Sequence, residues 1–191
     1  GNYLFFLTSD HGVAHVPSFL KENRIPAGTF QDNDIEKHLS EVIEAGFGIK
    51  KAVMTVMNYQ VYLNTDLIEQ AGKDIAEVKK LVIKTLKQYD YIIAAFATED
   101  ISVTSLPEPQ KEMMINGYNP KRSGDIQFTF KPGYFDGWDK GTTHGLWNPY
   151  DAHIPLLWFG WKVKPGKSNR EVYMTDITPT LAAMLQIQMP N

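Results

Sequence analysis

Residues 3–7 form a short, unbroken apolar run closed by Thr8, Ser9 and Asp10. A run of that length predicts a strand buried on both faces. Its polar end would lie at the carboxyl edge of a sheet, where open α/β folds place their ligands. After a stretch punctuated by Pro17, Pro26 and Gly28, residues 34–45 carry Ile35, Leu39, Val42 and Ile43 at helical spacing, and Gly46 and Gly48 end the pattern. Residues 52–57 and 60–64 read as two short strands. Asp74 and Glu77 form a capping-box pattern ahead of a helix whose apolar face is Ile75, Val78, Leu81, Val82 and Leu86. An apolar strand over 91–97 follows directly, giving the helix-then-strand alternation of an α/β sheet. Residues 107–114 predict a short helix, 125–130 a half-buried alternating strand, 154–159 a buried strand and 176–185 a closing helix. Between them, residues 132–148 are a long loop rich in glycine and aromatic residues, too long for a plain connector and so a place to look for function. No internal repeat is visible, and one α/β domain is the organisation expected.

Composition narrows the classes. Hydrophobic residues at 43% and charged residues at 21% of 191 exclude wholesale disorder. A net charge of −3 leaves no electrostatic footprint for nucleic acid. With no cysteine, a metal must be held by His, Asp or Glu. The run at 3–7 is far short of the roughly 20 apolar residues of a membrane span, and no positive charge precedes it as in a signal sequence. Gly1 at one end, and Met189, Pro190 and Asn191 at the other, read as the boundaries of a piece of a longer protein.

Asp10 and His11 stand side by side between the first strand and Gly12. A carboxylate and an imidazole there suit a metal, since both offer a lone pair at neutral pH, and a glycine lets the chain turn so that both side chains enter one cavity. A turn in which Asp10 caps local amides and His11 is solvated is the plainer alternative. His144, flanked by Gly141 and Gly145 in the long loop, is a third candidate. Asp34 and His38 share a helix face but read as an exposed pair; His15 and His153 read as structural. Lys121 and Arg122 suit phosphate or a simple turn equally well. Gly46 and Gly48 make no nucleotide fingerprint, and neither a phosphate-binding loop nor a Gly-x-Ser-x-Gly elbow occurs. Ser9 beside Asp10 and His11 cannot form a relay, because adjacent residues at a strand end diverge.

Six segments fall in a familiar order: residues 7–12 around Asp10-His11-Gly12, 117–126 around Lys121-Arg122-Ser123-Gly124-Asp125, 131–134, 141–145 around His144, 154–160 and 176–181. In that order the chain resembles the alkaline phosphatase superfamily, most closely its bacterial single-chain phosphatases and its nucleotide pyrophosphatase/phosphodiesterase members. The resemblance covers nearly the whole chain. It implies part of a three-layer α/β/α sandwich with a mostly parallel sheet, truncated at its amino-terminal side, so that residues 1–191 are a carboxy-terminal fragment of a catalytic domain. It also implies two zinc ions clamping a phosphate or sulfate ester. Asp10 and His11 would ligate the ion that activates a Thr or Ser nucleophile, and His144 the ion that steadies the leaving oxygen.

No segment resembles the family's nucleophile region, and the family's Asp-x-x-x-His pair precedes the Asp-His-Gly motif, whereas Asp34 and His38 follow it. The resemblance therefore implies an inactive piece of a periplasmic or secreted phosphomonoesterase or phosphodiesterase, with three metal ligands split between two sites, weak zinc binding and exposed sheet surface prone to self-association. A sulfatase or phosphomutase parent, and a non-catalytic α/β module with a structural Asp-His turn, are the alternatives.

Overall fold

The computed structural model describes residues 2–189; Gly1, Pro190 and Asn191, read above as boundary residues, lie outside them. In chain order the elements are β1 (Leu4–Thr8), α1 (Pro17–Glu22), β2 (Gly28–Phe30), α2 (Asp32–Phe47), β3 (Val53–Met57), β4 (Gln60–Leu63), α3 (Thr65–Gln70) and α4 (Ile75–Leu86). They continue with β5 (Ile92–Ala97), α5 (Glu108–Gly117), β6 (Ile126–Phe130), β7 (Tyr134–Asp136), α6 (Pro149–Ala152), β8 (Leu156–Gly160) and α7 (Ile177–Leu185). The described residues divide into two compact units, one of residues 8–156 and one of residues 2–7 with 157–189.

The larger unit is organised by a four-stranded sheet of order β3-β4-β6-β5. Asn58 and Tyr59, both at positive φ (51° and 62°), make the two-residue turn that folds β4 back on β3. β4 and β5 then flank β6, both antiparallel to it. The α/β character expected from the pattern is present; this four-stranded sheet is antiparallel, and β2 pairs with β7 in parallel. A two-residue connection permits nothing else for β3 and β4, since a parallel pair needs a crossover of a dozen residues or more.

α2 packs on β3 and on α4, which in turn packs on β5 and β6. The predicted faces are the buried ones: Ile35, Leu39 and Ile43 from α2, and Val78, Val82 and Leu86 from α4, meet Val61, Ile126 and Phe128. Asp74 caps α4 through a bond from the Ala76 N–H at 2.8 Å, and Gly48 ends α2 in the left-handed conformation.

Three expectations are corrected. β6 is buried at every position, where an alternating half-buried strand was expected. It lies between two strands, and the polar Gln127 is satisfied inside by bonds from its amide to the carbonyls of Tyr59 (2.8 Å) and Phe128 (3.1 Å). The loop over 132–148 contains β7, and the preceding Pro/Gly stretch contains its partner β2; three residues are too few to show a period. Finally, β1 is not buried on both faces in its unit. It pairs only with β8 among the described strands, and β8, expected as a buried strand over 154–159, is not buried either: Phe5, Leu7, Leu157 and Phe159 each leave half or more of their surface open.

Asp32 at the head of α2 accepts a proton more readily than an ordinary carboxyl. Burial, reinforced by the Asp136 charge, pushes it up to about 7, and its Oδ1 is buried without a partner. The folded chain then holds a proton that the unfolded chain releases near pH 4, so this group's contribution to stability declines from about pH 4 to about pH 7. Asp32→Asn should leave stability unchanged near pH 4 and raise it by about 1–2 kcal/mol at pH 8, a figure reduced for the group's partial exposure. Melting curves of both proteins across that range test it; an equal gain at every pH would refute the assignment.

Candidate functional site

Two loops of the larger unit carry the three candidate residues. Residues 9–14 follow β1, and residues 137–148 run from β7 to α6. In the first loop the Ser9 hydroxyl donates to the His11 carbonyl at 2.6 Å, and the His11 N–H donates to Asp10 Oδ1 at 3.1 Å. His11 Nδ1 lies 2.7 Å from the Gly12 carbonyl oxygen. A carbonyl only accepts, so Nδ1 carries a proton, and in the neutral imidazole the lone pair is the one on Nε2. That nitrogen is 3.5 Å from Asp10 Oδ2. Asp10's own backbone N–H and then the His11 ring hold its carboxyl below the usual carboxylate range. The carboxylate is largely exposed, with 81% of its side-chain surface accessible.

The second loop brings His144 onto His11. Their rings stack with centroids 3.6 Å apart and planes 11° from parallel. Hydrogen bonds hold the first loop to the second and to α6: Ala14 N–H donates to the Thr143 carbonyl at 3.0 Å, the Thr142 hydroxyl to the Ala14 carbonyl, and Gly12 N–H to the carbonyl of Asp151 on α6 at 2.7 Å. Gly12 is required for this approach, because a Cβ there would run into the Tyr150 carbonyl oxygen. Gly145, at φ +93°, turns the chain immediately after His144.

Of the three residues that the resemblance implies as ligands, the structure stacks His144 on His11 and sets Asp10 beside His11. It gives two of the other histidines partners away from this locus. His38 bonds the Tyr89 hydroxyl through Nδ1 at 2.6 Å, and His15 lies against Phe19 with ring centroids 6.1 Å apart. Lys121 and Arg122 sit in a turn closed on Asn119, whose carbonyl accepts from the N–H groups of Arg122 (3.0 Å) and Ser123 (2.8 Å). Among the described residues no group of three or more His, Asp or Glu side chains is arranged to hold a metal ion by itself. What the sequence reading missed is the strap around the site, above all Asp151 and Thr142. Asp151 belongs to no motif, Thr142 stands in the 141–145 segment without a role of its own there, and only the meeting of distant loops gives either one a role.

No protein-family model matches the chain. It is 42% identical, over its whole length, to an alkaline phosphatase, PafA, of Elizabethkingia meningoseptica, and 42% identical to another, PhoV, of Synechococcus elongatus. It is 45% identical to a protein of Myroides odoratus named as a calcium-transporting ATPase. A crystal structure of PafA superposes with a TM-score of 0.91 over 99% of this chain, at 42% identity. Over its whole length the chain thus corresponds to a portion of an alkaline phosphatase-like protein. It spans about a third of the length of these relatives, 34–35% of each and 36% of the PafA crystal chain. No described helix is long and apolar enough to cross a membrane.

Proposed function

We propose that residues 1–191 are the carboxy-terminal portion of the catalytic domain of a two-zinc, periplasmic or secreted hydrolase of phosphate esters. In this reading Asp10 and His11 share one ion, His144 belongs to the other, and the nucleophile lies in sequence beyond this chain. The observation that carries the reading is the convergence of the three side chains, His11 stacked on His144 with Asp10 beside it. The donor set fits. Asp10 Oδ2 and His11 Nε2 are 3.5 Å apart, close to the roughly 3.4 Å between two donors on one tetrahedral zinc. His11 already spends Nδ1 on a carbonyl, the partnership that commonly fixes a ligating imidazole. The set is also incomplete, which accords with a chain one-third as long as its relatives and supports an inactive fragment.

A cation pair at this locus supplies Lewis-acid stabilisation of the charge that grows on the attacking and leaving oxygens of the ester. The part played by this chain is to hold three donors ready. Asp10 offers negative charge from an exposed position, His11 is fixed in one tautomer by Gly12, and His144 is held against it by the loop-to-loop bonds. Donors held in place beforehand need no reorganisation when charge develops. The alkaline phosphatase relatives favour a phosphate over a sulfate ester, and the ATPase name of one relative makes a nucleoside triphosphate worth including among the substrates.

The test joins this chain to the remaining two-thirds of a PafA-like protein. We expect hydrolysis of an aryl phosphate that vanishes with a chelator and returns with zinc, while the 191-residue chain alone shows none. A folded, zinc-loaded joined protein without turnover of phosphate monoesters, diesters or ATP would refute the proposal.

A further inference from the structure

We infer that Asp151 is a positioning residue for the two histidines: it is bonded both to the chain beside His11 and to the chain beside His144. Its carbonyl oxygen accepts from the N–H of Gly12, one residue past His11, at 2.7 Å. Its carboxylate Oδ2 accepts from the N–H of Leu146, two residues past His144. The side chain is only 3% exposed, and its second oxygen, Oδ1, is buried with no partner. Burying a carboxylate with one oxygen unused is costly, and a fold that needed only volume at this point would be better served by an apolar side chain. The part of the side chain that bonds is the oxygen facing Leu146. The Leu146 N–H is buried by the same packing, since Leu146 is 6% exposed, and without Asp151 it would lose this acceptor.

The geometry has a simple mechanical reading. α6, on which Asp151 sits, is pressed so closely against the Asp-His-Gly turn that Gly12 has no room for a Cβ. Through its carbonyl, α6 fixes where the His11 ring starts. Through the Asp151 carboxylate, it fixes the chain just beyond Gly145, where the backbone leaves His144 in a left-handed conformation. The stacking at 3.6 Å is the product of both bonds. The bearing of this strap on ester hydrolysis rests on the phosphatase reading above; the strap itself does not.

The experiment therefore uses the metal-free 191-residue chain and reads the imidazole proton resonances of His11 and His144 by NMR, assigned with H11A and H144A. Each ring lies over the other, so each shifts its neighbour's signals upfield, and H144A shows where the His11 signals fall without a stacked ring. In D151A, with circular dichroism still that of the folded chain, we expect the His11 signals to move to their H144A positions. In D151N, whose side-chain oxygen still accepts from Leu146, they should stay at the wild-type positions. Replacing the Leu146 amide by an ester removes the N–H alone and should reproduce D151A. Unmoved His11 signals in folded D151A or in the ester variant would overturn the inference. So would their full displacement in D151N, which would show that the accepting oxygen is not what matters. If D151A does not fold, the ester variant and D151N decide.

Discussion

Asp10→Ala in the full-length protein should lower phosphate-ester turnover by about 10³-fold, a loss of about 4 kcal/mol of transition-state stabilisation, with no change in the melting temperature of the metal-free protein. The two halves of that expectation have separate causes. Asp10 is a largely exposed side chain at the end of β1, and surface substitutions away from caps and cores change stability by only about 0.5 kcal/mol. Its carboxylate lies beside His11 Nε2, so its removal takes away the negative donor of the set. His144→Ala should match it in turnover and in bound zinc, measured by metal analysis of the dialysed protein. If both variants keep wild-type zinc and turnover, the Asp-His turn is structural and the chain is a passive α/β module.

Phe128→Ala should destabilise the chain by about 3–5 kcal/mol, a large fraction of the 5–15 kcal/mol that holds a domain folded. Phe128 is fully buried in the middle strand of the sheet, and Phe30, Tyr59 and Phe130 surround it with ring centroids at 6.4, 6.2 and 6.4 Å. The substitution removes apolar area and leaves a cavity that four strands and two helices cannot close without losing their own contacts. Urea unfolding of wild type and variant measures it through a lower midpoint. A loss below about 1 kcal/mol would mean that this core repacks freely.

The elements legible in the sequence were those long enough to show a period. α2, α4 and α7, and the strands β3, β5 and β8, stand close to where the apolar spacing placed them. β2 and β7 were not legible, because three residues carry no alternation and their pairing is a tertiary event. The burial of β6 was misread for a related reason: Gln127 and Thr129 look outward-facing until Tyr59, Gln60 and Phe128 supply partners for the Gln127 amide. β1 shows the opposite error. Its sequence is that of a strand meant for burial, while burial itself needs neighbours that the chemistry of the strand cannot provide.

The site divides in the same way. The residue types, the glycine after His11 and the glycines around His144 made Asp10, His11 and His144 candidates, because lone-pair donors next to flexible turns are a local property. It was the order of the motifs, through the family resemblance, that joined them as ligands. Sequence alone therefore determined which groups were candidates for chemistry and where the longer helices and strands form. Only the tertiary structure decided that two imidazoles more than a hundred residues apart lie face to face, and that Asp151, unmarked by any motif, ties their loops together. Periodicity and turn chemistry act over a few residues, whereas a hydrogen bond between distant loops exists only once the core beneath them has fixed where each loop stands.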